Sequence, residues 1–137
     1  MRKSKTTVVA LDVGEARIGV AVADTAVKIA IPFGAIEVDG NEIKEIAQIV
    51  VKEGASIIVV GYPRNQSGEA TAQTAYAERF AAQLTDLADE VVFQDESLTS
   101  VMAEQRLKAR GGTYTRGDID AEAAVIILQD YIEEHHT

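Results

Sequence analysis

Thr6 to Asp24, TTVVALDVGEARIGVAVAD, is the stretch from which the rest of the chain can be read. The apolar run TVVAL ends on Asp12, passes through Val13-Gly14-Glu15 and returns as RIGVAVA, so two strand patterns with a tight connection predict a β-hairpin. Asp12 falls where a buried strand meets solvent. A carboxylate there can face a metal ion or a phosphate while its main chain stays in the ladder. An Asp ahead of a Gly is equally a common turn former, and the stretch alone does not separate the two readings.

Outward from the hairpin, VKIAIPFGAIEV reads as a third strand, with Pro32 marking an edge or a bulge because it has no N–H to give a ladder. Asn41 opens NEIKEIAQIVVKEG, whose Ile43, Ile46, Ala47, Ile49 and Val50 follow helical spacing up to a natural stop at Gly54. ASIIVVG is an uninterrupted β-branched run, the mark of a central strand buried on both faces and parallel to its partner, and it ends in the turn-rich GYPRNQSGE. An Ala-rich helix is expected from Glu69 to Ala88, with Ala72, Ala75, Phe80, Leu84 and Leu87 on its inner side, and EVVFQD forms another strand. Two helices follow, Leu98 to Arg110 before Gly111-Gly112, and Asp118 to about His135 with Ala124, Ile127, Leu128 and Tyr131 at core spacing. The order predicts one α/β domain over residues 1–137.

Composition narrows the chemistry. A chain of 137 residues, 47% of them apolar, is expected to bury roughly two-thirds of its unfolded surface around a single core. With no cysteine, disulfides and thiolate sites are excluded, and a metal would need carboxylate oxygens, which suit Mg²⁺ or Mn²⁺. The apolar run after MRKSKTT is too short for a signal peptide or a membrane span, so a cytoplasmic protein without membrane attachment is expected. A net charge of −9 argues against a simple nucleic-acid coat protein. The segment RLKARGGTYTR nevertheless carries Arg106, Lys108, Arg110 and Arg116 without an acid. With Tyr114 it suits a phosphate backbone and a stacked base, although cations near a helix C-terminus also simply complement its dipole.

Strands joined by crossover helices run parallel, so their C-terminal ends meet at one rim. If the first strand joins that set, Asp12, the GYPRNQSGE loop and Asp95-Glu96 collect there, and Asp120 completes the cluster if the last helix crosses the same edge. Carboxylates held close repel unless cations sit between them, so the arrangement predicts metal. Asp95 is expected to serve a strand end, and Asp118 an N-cap.

LDVGEARIGVAVAD, GYPRNQSGE, DESLTS and DIDAEAAVIILQDYI, in this order and spacing, resemble the YqgF (RuvX) family, described as pre-16S rRNA nucleases and earlier as Holliday junction resolvases. The similarity runs from about Thr6 to Ile132. It implies an RNase H-like fold: a five-stranded mixed sheet, a three-strand meander then two parallel strands, with helices on both faces. It also implies that Asp12, Glu96 and Asp120 form an acidic site, with Asp12 as bridging ligand to two Mg²⁺ or Mn²⁺ ions about 4 Å apart that activate water and stabilise the leaving oxyanion. Arg17, Arg64 and Asn65 then join Arg110, Tyr114 and Arg116 as candidate nucleic-acid contacts. Ala16 and Ser97 stand where the family usually carries Lys and Arg. Pre-rRNA is the favoured substrate and branched DNA the alternative, for a monomer or homodimer. Two further readings are a non-catalytic RNA-binding assembly factor, and an ATP-binding phosphotransferase that the Asp-x-Gly turn also resembles.

Overall fold

The computed structural model describes residues 6–63, 71–96 and 99–136. Its elements run β1 (Thr7–Val13), β2 (Arg17–Asp24), β3 (Ile31–Glu37), α1 (Glu42–Glu53), β4 (Ala55–Pro63), α2 (Ala72–Ala82), β5 (Glu90–Glu96), α3 (Thr99–Arg110) and α4 (Arg116–His135). The sheet order is β3-β2-β1-β4-β5. β1, β2 and β3 form an antiparallel meander, and β4 and β5 extend it in parallel from β1. The expected five-stranded mixed sheet is therefore present, with β1 at its centre and ASIIVVG an interior strand between β1 and β5.

Strand alternation divides the core into two layers. Val9, Leu11, Ile18, Val20, Ile58 and Val60 point to one face, where Ile46, Ile49 and Val50 of α1 and Ala77, Phe80 and Ala81 of α2 cover them. Val8, Ala10, Ala21, Ala23, Ile57 and Val59 point to the other, under Ala124, Ile127, Leu128, Tyr131 and Ile132 of α4. α3 packs on the back of α4 through Ala103, Ala123 and Ile126, which is why α4 is buried on nearly every side from Ala121 to Leu128.

Local chemistry explains most boundaries. Gly54 ends α1 in the left-handed conformation (φ 65°), its N–H reaching the Val50 and Val51 carbonyls. Pro32 lies on an edge strand next to a register shift between Val20 and Ala21, as its missing N–H requires. Four expectations need correction. β3 begins at Ile31 rather than Val27, because Gln129 of α4 bonds the Lys28 carbonyl and the Ala30 N–H and draws that main chain away from the ladder. The described part of the Ala-rich helix runs from Ala72 to Ala82, and its buried stripe is Thr74, Ala77, Phe80 and Ala81, leaving Ala72 exposed. Phe80, Leu84 and Leu87 face the core as expected, the last two beyond the helix end. The Thr71–Thr74 capping box and the Thr74 hydroxyl bonded to the Pro63 carbonyl set its rotation. α4 starts two residues before Asp118, which is not its N-cap. Thr115 is the cap, with its hydroxyl accepting from the Asp118 N–H at 3.1 Å and the Asp118 carboxylate accepting from the Thr115 N–H at 2.9 Å. Asp120 therefore sits past the first helical turn.

Candidate active site

Asp12 lies near the end of β1 on the α4 face, in register with Gly19 of β2. Gly19 is the reason α4 can come so close. A Cβ there would fall inside van der Waals contact of the Asp120 carbonyl, so only glycine lets the helix backbone rest on the strand. Two strands over, Glu96 ends β5 opposite Pro63, and its side chain lies over Gly61 of β4. A Cβ on Gly61 would stand 2.5 Å from Glu96 Oε1 and 2.7 Å from Ile127 Cδ1. Both glycines thus clear space on the face where three carboxylates meet.

The electrostatics follow from that crowding. Although Asp12 keeps some solvent contact, its carboxyl is pushed from 3.8 to about 8, first by desolvation and then by the charges of Glu96 and Asp120. Burial also raises Glu96, partly opposed by the Thr99 hydroxyl, which donates to Glu96 Oε2. Asp120 is held differently. Its Oδ2 accepts from Arg17 Nε at 2.6 Å, an ion pair across 103 positions of sequence.

The structure therefore brings Asp12, Glu96 and Asp120 to one rim, as the sequence predicts. Asp95 alternates to the opposite face, in register with Tyr62. Arg17 is at the rim, but its Nε is occupied by Asp120. Arg110 and Arg106 reach Glu122 of α4 at 2.9 and 3.1 Å. Tyr114 donates its hydroxyl to Glu104 of α3 at 2.9 Å, and Arg116 is exposed at the first residue of α4. Arg64, Asn65 and Ser97 lie outside the described residues. Sequence reasoning missed Thr99, whose place three residues after Glu96 was its one signal. It also missed Glu104 and Glu122, whose partners are on other elements.

Among the described residues no three acidic or histidine side chains are arranged to hold a metal ion as they stand. The donor set is nevertheless all oxygen and strongly self-repelling, which fits a hard divalent cation better than any softer metal. Among the described residues no helix is long and apolar enough to cross a membrane.

A meander of three strands extended by two parallel ones, helices on both faces and acids gathered at one rim define an RNase H-like α/β protein. The chain superposes on RuvC of T. thermophilus in complex with a Holliday junction substrate with a TM-score of 0.56 over 94% of each chain, at 14% identity. More specifically, it belongs to the RuvX family, whose model, described as "Holliday junction resolvase", matches residues 6–134. Similar relatives carry the name "Putative pre-16S rRNA nuclease". One from Chloroflexus aurantiacus is 43% identical over 92% of this chain and 86% of its own length. Another, from Chloroflexus aggregans, is 41% identical over 95% of both.

Proposed function

We propose that this chain is a divalent-metal-dependent nuclease that cuts phosphodiester bonds in the 5′ maturation of pre-16S rRNA. The observation that carries the reading is the meeting of Asp12, Glu96 and Asp120, from β1, β5 and α4, on one sheet rim, with Asp12 driven up to about 8 by burial and by the other two. A protein has little structural reason to bury mutually repelling acids, and a polyanion-cutting centre has a strong one. The names of the relatives point to pre-16S rRNA.

Asp12 and Glu96 would hold the metal, with Asp120 as the third ligand once it is shared with or released from Arg17. A pair of divalent ions bound there supplies an activated water and charge stabilisation for the departing oxygen. The chain's own residues do the rest. β1 and β5 hold two carboxylates on the ladder, where they lose little entropy on engaging the cation. Thr99 fixes the orientation of Glu96 by donating to Oε2. Arg17 fixes the position of Asp120 through its Nε and leaves its terminal guanidinium nitrogens for a phosphate oxygen.

The test is cleavage of an end-labelled rRNA precursor with its 5′ extension, unstructured RNA and a four-way DNA junction, with Mg²⁺, Mn²⁺ or EDTA. Cutting of the precursor that needs metal and disappears in Asp12→Asn is the expected result. Cutting confined to the junction would transfer the activity to the second reading, resolution of branched DNA, which the family description favours. No cutting, with RNA bound equally by both proteins, would leave a binding module.

A further inference from the structure

A cavity of about 480 Å³ opens between α3 and the start of α4, lined by Arg17, Ser100, Glu104, Tyr114, Arg116 and Asp120 among others. It shares a wall with the acidic rim, because Asp120 both lines it and acts on the Asp12 carboxyl. Whatever fills it therefore lies beside the bond being cut. We propose that this cavity takes an unpaired nucleobase of the strand being cut, stacked on Tyr114, so that cleavage occurs next to single-stranded rather than continuously paired nucleic acid. This rests on the phosphodiester-cleaving reading above.

Three features of the cavity select a base rather than a stretch of backbone. Its volume is in the range of pockets that enclose a small organic group, roughly 300–1,000 Å³. Its charged side chains balance, Arg17 and Arg116 against Glu104 and Asp120, so it can contact a single phosphate at its edge but does not draw in a run of backbone. Its aromatic side chain is also already fixed. The Tyr114 hydroxyl is committed to Glu104 at 2.9 Å, so the ring face is what remains for a ligand, at little further entropic cost. Ser100 and Arg116 supply hydrogen-bond donors for the attached ribose or phosphate, and Glu104 is an acceptor suited to an exocyclic amine. A base within a duplex has both faces covered by its neighbours and cannot enter. An unpaired one can, and stacking on an aromatic ring is tolerant of which base it is.

The experiment replaces the base, not only the protein. On the rRNA-precursor substrate, an abasic nucleotide on one side of the mapped cut should lower wild-type kcat/KM about 5- to 150-fold, the worth of one base–aromatic stack. Tyr114→Ala should show a loss of the same size on the intact substrate and almost none on the abasic one, and Tyr114→Phe should recover most of it. A Tyr114→Ala loss that is equal on both substrates, or an abasic nucleotide that costs nothing on either side, would overturn the proposal. Binding separates its fate from that of the nuclease reading. In EDTA, a short single strand carrying 2-aminopurine should be quenched by Asp12→Asn protein and not by the Asp12→Asn, Tyr114→Ala double variant, and the matching duplex should not be quenched by either. Quenching without any cleavage would sink the nuclease reading alone. Equal quenching of single strand and duplex, or none, would sink this one.

Discussion

Replacing Asp12 by Asn should make the metal-free protein more stable, by an amount that depends on pH in a defined way. The Asp12 carboxyl is raised from 3.8 to about 8 in the folded state, so folding favours its neutral form. Its contribution is fully present below about pH 3.8 and is lost as pH rises towards 8, beyond which the loss is constant. Each pH unit in that window costs the wild type about 1.4 kcal/mol, and the whole displacement sets a ceiling of roughly 6 kcal/mol. Asn does not titrate and also removes a charge facing Glu96. The stability gap between variant and wild type should therefore be about 2 kcal/mol at pH 5 and approach roughly 5 kcal/mol at pH 8. Urea denaturation in EDTA at several pH values measures it directly. Repeating the series with Mg²⁺ should stabilise the wild type more than the variant and narrow the gap. A gap that does not change between pH 5 and pH 8, or a variant that is less stable at pH 8, would refute the claim that burial and crowding load this carboxylate.

Gly19→Ala should be among the most damaging single-methyl changes in the chain, since its Cβ meets the Asp120 main-chain carbonyl and cannot be relieved by a side-chain rotation. A loss of roughly 3 kcal/mol or more is expected by urea denaturation, and a loss below about 1 kcal/mol would mean that α4 is not seated as described. At the other side of α4, Glu122 is 3% exposed while Arg106 and Arg110 are about half exposed. Removing both arginines strands a buried carboxylate and should cost roughly 3 kcal/mol, whereas Glu122→Gln frees two cations to be hydrated and should cost about 1–2 kcal/mol. The reverse order would contradict the burial asymmetry.

Elements whose character is written in a run of neighbours were legible in advance. The β-branched ASIIVVG reads as a doubly covered strand, Pro32 as an edge or a bulge and in fact lies at both, and Gly54 stops α1 by its own backbone freedom. Helix phase was harder where alanine is spread round the cylinder. In α2 the inward face is chosen by Thr74 bonding to the Pro63 carbonyl, a contact that no periodicity announces. The start of α4 was hidden for a related reason: Thr115 and Asp118 are both good caps, and here they cap each other's ends of one box. Among the candidate site residues, Asp12 and Glu96 could be placed on a common rim from strand direction once the first strand joined the parallel set. Asp120 depended on where the last helix crosses, and Asp95 turned to the opposite face. The partners of the acids could not be placed. Arg17 and Asp120 are 103 positions apart, and the cationic segment around Arg110 looks unneutralised only because Glu122 lies on the next helix.

The site is closed by the last helix in the chain, and this orders its assembly in time. During synthesis β1, β4 and β5 emerge before α4, so a partly made chain has Asp12 and Glu96 in place, no Asp120 beside them, and the Val8–Ala10–Ile57–Val59 face of its sheet still bare. Asp120 joins the other two acids only when α4 docks, and that same docking covers the bare apolar face. A nascent or truncated chain thus cannot carry the full acidic set, and its sticky sheet marks it for chaperones and proteases. Completion of the acidic rim and completion of the core arrive in a single event.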